Sequence, residues 1–481
     1  MEKKSSFFNI ISFVLFLAVF CLGLLGLYKL FSWKDTSGIY FDTMEQVKNL
    51  KDNSVDVVFL GPSHTYCGIN PNVFWDKYGY STFDMSISGM DMYCTYYYLK
   101  EFLKKQFPKV VFVEASNISY GGHQVQGNVY RAVLSMPNRE YAKALLDTSV
   151  ATAFVENKDT KTYELVWPII HTRYKELKKY DFIKNPLNQF GLGFTCAFNS
   201  SDIVLNEDAL ERNDLIELDA TQTEWIDKVV ELSKEYGFEI IYYNTPETTS
   251  DEGQSVLNSV YTYLDEKYGI KGFDAGKMMD EVGMDVSGDF NDPGHLNSFG
   301  AEKLSTFFAD FLNENYILPD HRGDEYYDYW NKCSYFNSKQ WFDHNVFEEE
   351  SRKKAVKEVA STDGLLTVLS VNGTTGELWG LVEEEIEEYF GINSSDVQNG
   401  GLFVFKNREL IWKADNSNLA FRERVNSDTY MQIDCSFDEN GKLNSQIRVG
   451  QGGCVVQDMK GTYLTIYDLD TDTLAAVKKL D

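Results

Sequence analysis

Two short segments, far apart in the chain, carry side chains that could perform acyl chemistry together. Gly61-Pro62-Ser63-His64 offers a hydroxyl, and Asp292-Pro293-Gly294-His295 offers a carboxylate and an imidazole three positions apart. A serine hydroxyl needs a base to accept its proton, and the base needs a partner that fixes its tautomer. Ser63 is therefore the candidate nucleophile and His295 the general base and later acid. Asp292 would orient His295 and stabilise its imidazolium. His64 adjoins Ser63, and side chains neighbouring at such a turn point apart, so it reads as a substrate contact or a packed histidine. The alternatives are local: a serine that bonds only the backbone around it, and an Asp-Pro-Gly turn that ends in a helix-start histidine.

An acyl intermediate also needs donors for its oxyanion. Gly89, after the run Ser81 to Ile87, would let a backbone donor come close. Asn117 follows the apolar run Lys109 to Glu114 and would offer a side-chain amide, with Asn244 as the rival amide. Thr65 stands where a G-x-S-x-G elbow requires glycine, which excludes the α/β-hydrolase turn.

The elements that must position these residues follow from periodicity. Val55 to Leu60 is short, β-branched and closed by Gly-Pro, which predicts a buried parallel strand with Ser63 beyond its C-terminal tip, where open α/β sheets bind ligands. Asn70-Pro71 opens a helix through Tyr78, and Ser81 to Ile87 predicts a second strand. A helix over Tyr93 to Gln106 then leads to a third strand, Lys109 to Glu114. Gly121 to Asp219 breaks the rhythm and reads as a helical insertion over the sheet, with helices around Arg139 to Leu146 and Tyr163 to Tyr180. A helix marked by Trp225, Val229, Leu232 and Tyr236 precedes a fourth strand, Phe238 to Tyr243, and Tyr268 to Asp274 is a weaker fifth. Strands alternating with helices imply right-handed crossovers and a parallel sheet.

The chain has 481 residues and a formal charge of −28, so it offers no electrostatic footprint for nucleic acid. Phe7 to Tyr28 is uncharged and long enough to cross a bilayer, and no small-residue cleavage site follows it, so it reads as an uncleaved anchor. Lysines flank it on both sides. A long domain after a single anchor translocates, which predicts a single-pass membrane protein with its bulk outside the cell. The six cysteines beyond the anchor permit disulfides without indicating pairs, and no C-x-x-C spacing suggests zinc. Residues 1–34 would then be tail and anchor, 35–317 the α/β domain with its insertion at about 121–219, 318–361 a linker, and 362–481 a β-rich α+β domain.

The order of Ser63, Gly89, Asn117 and Asp292-Pro-Gly-His295 resembles the SGNH hydrolase superfamily, over roughly residues 52 to 316. With its anchor, Ser-His opening and Asp-x-Gly-His-Leu-Asn close, the chain looks like the membrane-anchored branch that includes alginate O-acetylation proteins and the D-alanine transfer protein of teichoic acid modification. Pro62 departs from that pattern, standing in place of the usual Asp or Ser. Glu114-Ala115-Ser116-Asn117 departs again, in place of G-x-N-D. The resemblance implies a three-layer, flavodoxin-like parallel sheet and a cofactor-free, metal-free serine esterase or O-acyltransferase. Its substrate would be an acylated polysaccharide or other glycan of the envelope or exterior, and a transferase would depend on a membrane-bound acyl exporter. His171 and Arg173 are similar to an element of those relatives and are secondary candidates. The alternative reading is a non-catalytic envelope scaffold with a degenerate cleft. The C-terminal region, through Gly401 to Ile411 and Lys460 to Asp468, weakly resembles the interleukin-like EMT inducer (PANDER-like) domain, which binds carbohydrate in some proteins. Asp468-x-Asp470-x-Asp472 lacks the glycine of a calcium loop and has Lys479 at its twelfth position, so calcium is not expected.

Overall fold

The computed structural model describes residues 2–31, 43–119, 126–151, 175, 177, 181–182, 184–372, 382–415, 419–425, 429–439, 443–450, 454–457 and 460–480. It divides into two compact units, Met1–Asn331 and Lys332–Asp481.

The first unit begins with a helix, Glu2–Phe31, of which Ile10–Phe31 is apolar and long enough to cross a membrane. At about 1.5 Å per residue this stretch matches the ~30 Å hydrocarbon core. It lies three residues further along than the expected span.

The five-stranded sheet is built from β1 (Val57–Leu60), β2 (Thr82–Asp84), β3 (Val110–Glu114), β4 (Glu239–Asn244) and β5 (Gly272–Asp274). Its order is β2-β1-β3-β4-β5 and every pair is parallel. This is the doubly wound 2-1-3-4-5 order, whose switch point falls between β1 and β3. The central strands β1 and β3 are buried at every position, as expected where helices cover both faces of a parallel sheet. Phe59 stacks on Phe112 at 4.4 Å and meets the edge of Tyr243 at 5.7 Å, and Phe308 of the helix Ser298–Asn315 closes the cluster.

The expected strand Val55 to Leu60 starts two residues later, because Asp56 turns its carboxylate to Ser81 Oγ and His321 instead of continuing the apolar run. The run Ser81 to Ile87 shortens to Thr82–Asp84, although Met85 and Ile87 still donate N–H bonds along β1 to Phe59 O and Gly61 O. The helix Asp251–Tyr268, opened by the Ser250 cap, has no counterpart among the sequence expectations. The insertion contributes the helices Gln126–Ser135 and Arg139–Ala151. The helix expected at Tyr163 to Tyr180 falls largely outside the described residues, as do His171 and Arg173.

The second unit is β-rich and antiparallel. Its strands are β8 (Leu365–Asn372), β9 (Gly401–Lys406), β10 (Glu409–Lys413), β11 (Ala420–Arg424), β12 (Tyr430–Phe437), β13 (Leu443–Val449), β14 (Cys454–Gln457), β15 (Gly461–Asp468) and β16 (Thr473–Lys479), after a short hairpin of β6 (Phe290–Asp292) and β7 (His295–Leu296) in the first unit. They form two sheets, β10-β9-β8-β15-β16 and β11-β12-β13-β14. Period-2 alternation sorts β8 between two cores. Leu366 and Val368 join Met431, Ile433 and Ile447 of the smaller sheet, while Leu365, Leu369 and Val371 face a helical layer.

Residues 318–361, expected as a linker, contain the helices Asp328–Glu348 and Arg352–Ser361. The second unit starts at Lys332, and Val346, Val356, Val359 and Ala360 belong to its core. The aromatic and charged residues of this segment masked its periodicity: the apolar stripe is narrow, and only its partners across the core make it a buried face. The acidic run in this unit is served by side chains of the unit itself. Lys339 pairs with the fully buried Asp468 at 2.9 Å, Tyr335 donates to Asp470, and Tyr467 donates to Asp472.

Among the described residues Cys67, Cys94 and Cys435 are free thiols.

Candidate active site

Ser63 opens the six-residue helix Ser63–Gly68, which follows β1 after Gly61 and Pro62. The turn between them is crowded. An alanine Cβ at position 61 would lie 2.0 Å from Thr65 Oγ1 and 2.5 Å from Glu114 Cβ, so only glycine fits. Pro62 is extended and supplies no side-chain cap, whereas its carbonyl accepts the Thr65 N–H at 3.1 Å. Tyr243 of β4 donates to Thr65 Oγ1 at 3.0 Å and pins the helix from the neighbouring strand.

The β6–β7 hairpin presents the second segment. Asp292 and His295 are paired across it, and Thr248 N–H donates to Pro293 O at 2.8 Å, holding the loop against the residues that follow β4. Asn297 then caps the helix Ser298–Asn315 through Phe299 N–H and Gly300 N–H. His295 Nδ1 lies 2.9 and 3.0 Å from the two Asp292 carboxylate oxygens, and Ser63 Oγ lies 2.8 Å from His295 Nε2. A carboxylate at Nδ1 holds the ring hydrogen there, so Nε2 is left with its lone pair toward the Ser63 hydroxyl. Burial opposes ionisation of Asp292, but bonds from Gly294 N–H, His295 and Asn291 outweigh it and hold the carboxyl below its ordinary range. The three side chains thus form one hydrogen-bonded chain at the C-terminal edge of the sheet, with the charge distribution that general-base activation of a serine requires.

Ile87 N–H donates to Gly61 O at 3.3 Å, which lays the 86–89 run beside the nucleophile turn. Gly89 has φ +64, and a Cβ there would lie 2.5 Å from Asn128 Nδ2. The Asn128 amide, carried by the helix Gln126–Ser135, therefore lies directly over Gly89. Asn117 sits in the short helix Ser116–Ser119 right after β3, and its side chain is outside the described residues. Asn244 spends its amide locally, accepting from Tyr261 OH at 2.7 Å and donating toward Thr245 O at 3.4 Å.

His64 is a packed histidine. Its Nδ1 lies 3.0 Å from Ser116 Oγ and its Nε2 lies 3.5 Å from Glu247 Oε2. Its ring centroid is 5.3 Å from that of His295. Burial, reinforced by the His295 charge, pulls the His64 imidazole down to about 3, so the ring is neutral. Ser116 donates through both its N–H, at 3.1 Å, and its hydroxyl, at 2.6 Å, to Glu114 Oε2. Burial pushes the Glu114 carboxyl up to about 8, with Ser116 opposing the shift and Glu247 adding to it. Burial likewise pushes the Cys67 thiol up to about 12, with Asp292 and Asp84 contributing, which keeps it protonated.

Four residues at this site escaped the sequence reading as functional groups: Glu114, Ser116, Glu247 and Asn128. The signal available for the first pair was a glutamate ending an otherwise apolar strand, followed by serine, at the sheet edge that binds ligands. Asn128 had none, since it lies in a helix of the insertion. Among the described residues no group of three or more His, Cys, Asp or Glu could hold a metal.

No protein-family model matches the chain, and no curated protein matches it.

Proposed function

We propose that this chain is a membrane-anchored serine esterase or O-acyltransferase acting on an acylated polysaccharide outside the cell, with acetyl as the acyl group. The observation that carries the reading is the continuous Asp292–His295–Ser63 chain, with both junctions at 3.0 Å or less. Ser63 Oγ attacks the ester carbonyl carbon while His295 Nε2 takes its proton, and Asp292 stabilises the resulting imidazolium. The Gly89 backbone and the Asn117 amide are the proposed oxyanion donors. His295 then returns the proton to the departing alcohol, leaving an acyl group on Ser63. Water releases it in a hydrolase; a glycan hydroxyl takes it in a transferase, with His295 again as base. The apolar helix over Ile10–Phe31 supports membrane anchoring. In this reading the β-rich second unit is an accessory domain that engages glycan.

The test uses the full chain in lipid nanodiscs, with a fluorophosphonate probe and p-nitrophenyl acetate. Covalent labelling and ester cleavage are expected in the native protein, lost in Ser63→Ala and strongly reduced in His295→Ala. Equal rates in all three proteins would overturn the enzymatic reading and leave the glycan-binding scaffold. Acetate release in water against acetyl transfer to added oligosaccharides separates hydrolase from transferase.

A further inference from the structure

Behind the nucleophile lies a second hydrogen-bonded chain that the proposed reaction does not use. It runs from Glu114, at the end of β3, through Ser116 Oγ to His64 Nδ1, and from His64 Nε2 toward Glu247. Each link is buried: Glu114 is 2 % exposed, Ser116 0 %, His64 9 % and Glu247 5 %. The chain touches the catalytic segments at both ends. Gly61 packs on Glu114 Cβ, and a Cβ at Gly294 would lie 3.8 Å from His64 Nε2.

A serine hydroxyl has one hydrogen, and a neutral imidazole has one N–H. Their directions along this chain are therefore linked. With Glu114 ionised, Ser116 gives its hydroxyl hydrogen to the carboxylate, its oxygen accepts from His64 Nδ1–H, and Nε2 is bare. With Glu114 protonated, the carboxyl O–H donates to Ser116 Oγ, the serine hydrogen turns to His64 Nδ1, and the ring carries its hydrogen on Nε2. Passing from the second state to the first, the Glu114 proton moves to Ser116, the serine proton moves to Nδ1, and the Nε2 proton leaves to solvent. One proton is lost and no charge remains on the ring.

We propose that Glu114 is a positioning residue that acts through Ser116 as a tautomer switch on His64, so that its proton decides whether the His64 nitrogen facing the Asp292–His295 loop carries the ring hydrogen. The switch itself stands on the hydrogen-bond geometry; its effect on Ser63 rests on the reading of Ser63 as nucleophile. The other titratable groups facing Glu114 are Glu247, Tyr243 and Tyr261, and those facing His64 are Glu247, His295 and Asp292. Burial holds both tyrosines well above their ordinary values, so neither ionises in the range concerned. An ionised Glu114 puts a buried negative charge beside the nucleophile turn, where a second negative charge develops during acylation. The protonated state is thus the reactive one.

The experiment is nitrogen-15 NMR of the full chain in nanodiscs, labelled at its six histidines, with His64→Gln to assign the resonances. Between about pH 6.5 and 9.5 the hydrogen on His64 should pass from Nε2 to Nδ1. In Glu114→Gln the Ser116 N–H holds the amide oxygen at the Oε2 position, so the Ser116 hydroxyl remains a donor to it and the hydrogen should stay on His64 Nδ1 throughout. Should that variant fail to fold, Ser116→Ala cuts the chain at its centre and should make the tautomer independent of pH. Fluorophosphonate labelling of Ser63 should slow roughly 5- to 10-fold over the same range in the native protein and stay level in Glu114→Gln. A single His64 tautomer across the range, or the same change in Glu114→Gln as in the native protein, would overturn the proposal. A tautomer change without any Ser63 labelling would uphold the switch and sink the enzymatic reading.

Discussion

Replacing Asp292 by Asn tests the proposed acyl chemistry through the charge that it removes. Asp292 Oδ1 accepts both Gly294 N–H and His295 Nδ1–H, at 2.9 Å each, while Oδ2 accepts from Asn291 at 3.1 Å and from Nδ1 at 3.0 Å. In the variant, the amide oxygen is held at the Oδ1 position, because an NH2 there would face the Gly294 donor. His295 can therefore still donate from Nδ1 to that oxygen, so its useful tautomer survives. What disappears is the carboxylate charge opposite the imidazolium that forms during attack. Two unit charges about 4 Å apart interact by about 1 kcal/mol in water and about 4 kcal/mol at an effective dielectric constant of about 20. The pair is partly solvated, with side chains 30 % and 44 % exposed, which places it between those limits. A loss of about 2 to 3 kcal/mol, or roughly 30- to 150-fold in rate, is expected. The assay is the second-order rate constant for fluorophosphonate labelling of the full chain in nanodiscs, with Ser63→Ala as the zero. A rate within twofold of native would show that Asp292 does not stabilise the charged histidine. A rate as low as Ser63→Ala would show that the tautomer does not survive, and the bifurcated geometry would be wrong.

The remaining predictions concern stability. Glu114 has a folded value of about 8 against an ordinary 4.5, so the native state holds its proton more tightly than the unfolded chain does. Stability should fall as pH rises between those values and level off above them, by about 4 kcal/mol from pH 5 to 9, and Glu114→Gln should lack this slope. Hydrogen-exchange protection of the β1 and β3 amides against pH measures the difference, and parallel profiles would contradict it. Gly89→Ala places a Cβ at φ +64 and 2.5 Å from Asn128 Nδ2, which should cost about 1 to 2 kcal/mol and lower the first unit's melting temperature. An unchanged melt would show that Asn128 moves aside freely. Lys339→Ala leaves Asp468, which is 0 % exposed, without its cation and should cost the second unit about 3 to 5 kcal/mol in denaturant unfolding, whereas a loss under 1 kcal/mol would show that the Lys339 charge is not what makes burial of Asp468 tolerable.

Much of the first unit was legible in the amino-acid order because its determinants are local. Val57 to Leu60 is a continuous apolar run closed by Gly61-Pro62, so the position of Ser63 beyond a strand tip follows from a few residues. Asp292 and His295 lie close in sequence, and a tight Pro-Gly hairpin is enough to bring their side chains together. The apolar N-terminal helix is equally local, since hydrophobic length alone defines it. The segment 318–361 was not legible. Val346, Val356 and Ala360 are scattered among charges, and only strands from later in the chain turn them into a core face.

The residue order thus determined which groups could react and where the sheet would present them. The tertiary structure decided that Ser63 and His295, 232 positions apart, meet at hydrogen-bond distance, and that Glu114 and Ser116 tie into His64 behind them. The difference has one physical cause. Caps, turns and apolar periodicity act over a few residues and leave a direct mark on the sequence. A buried polar group becomes tolerable only when a partner satisfies it, and nothing near His64 in sequence names Ser116, which lies 52 positions away.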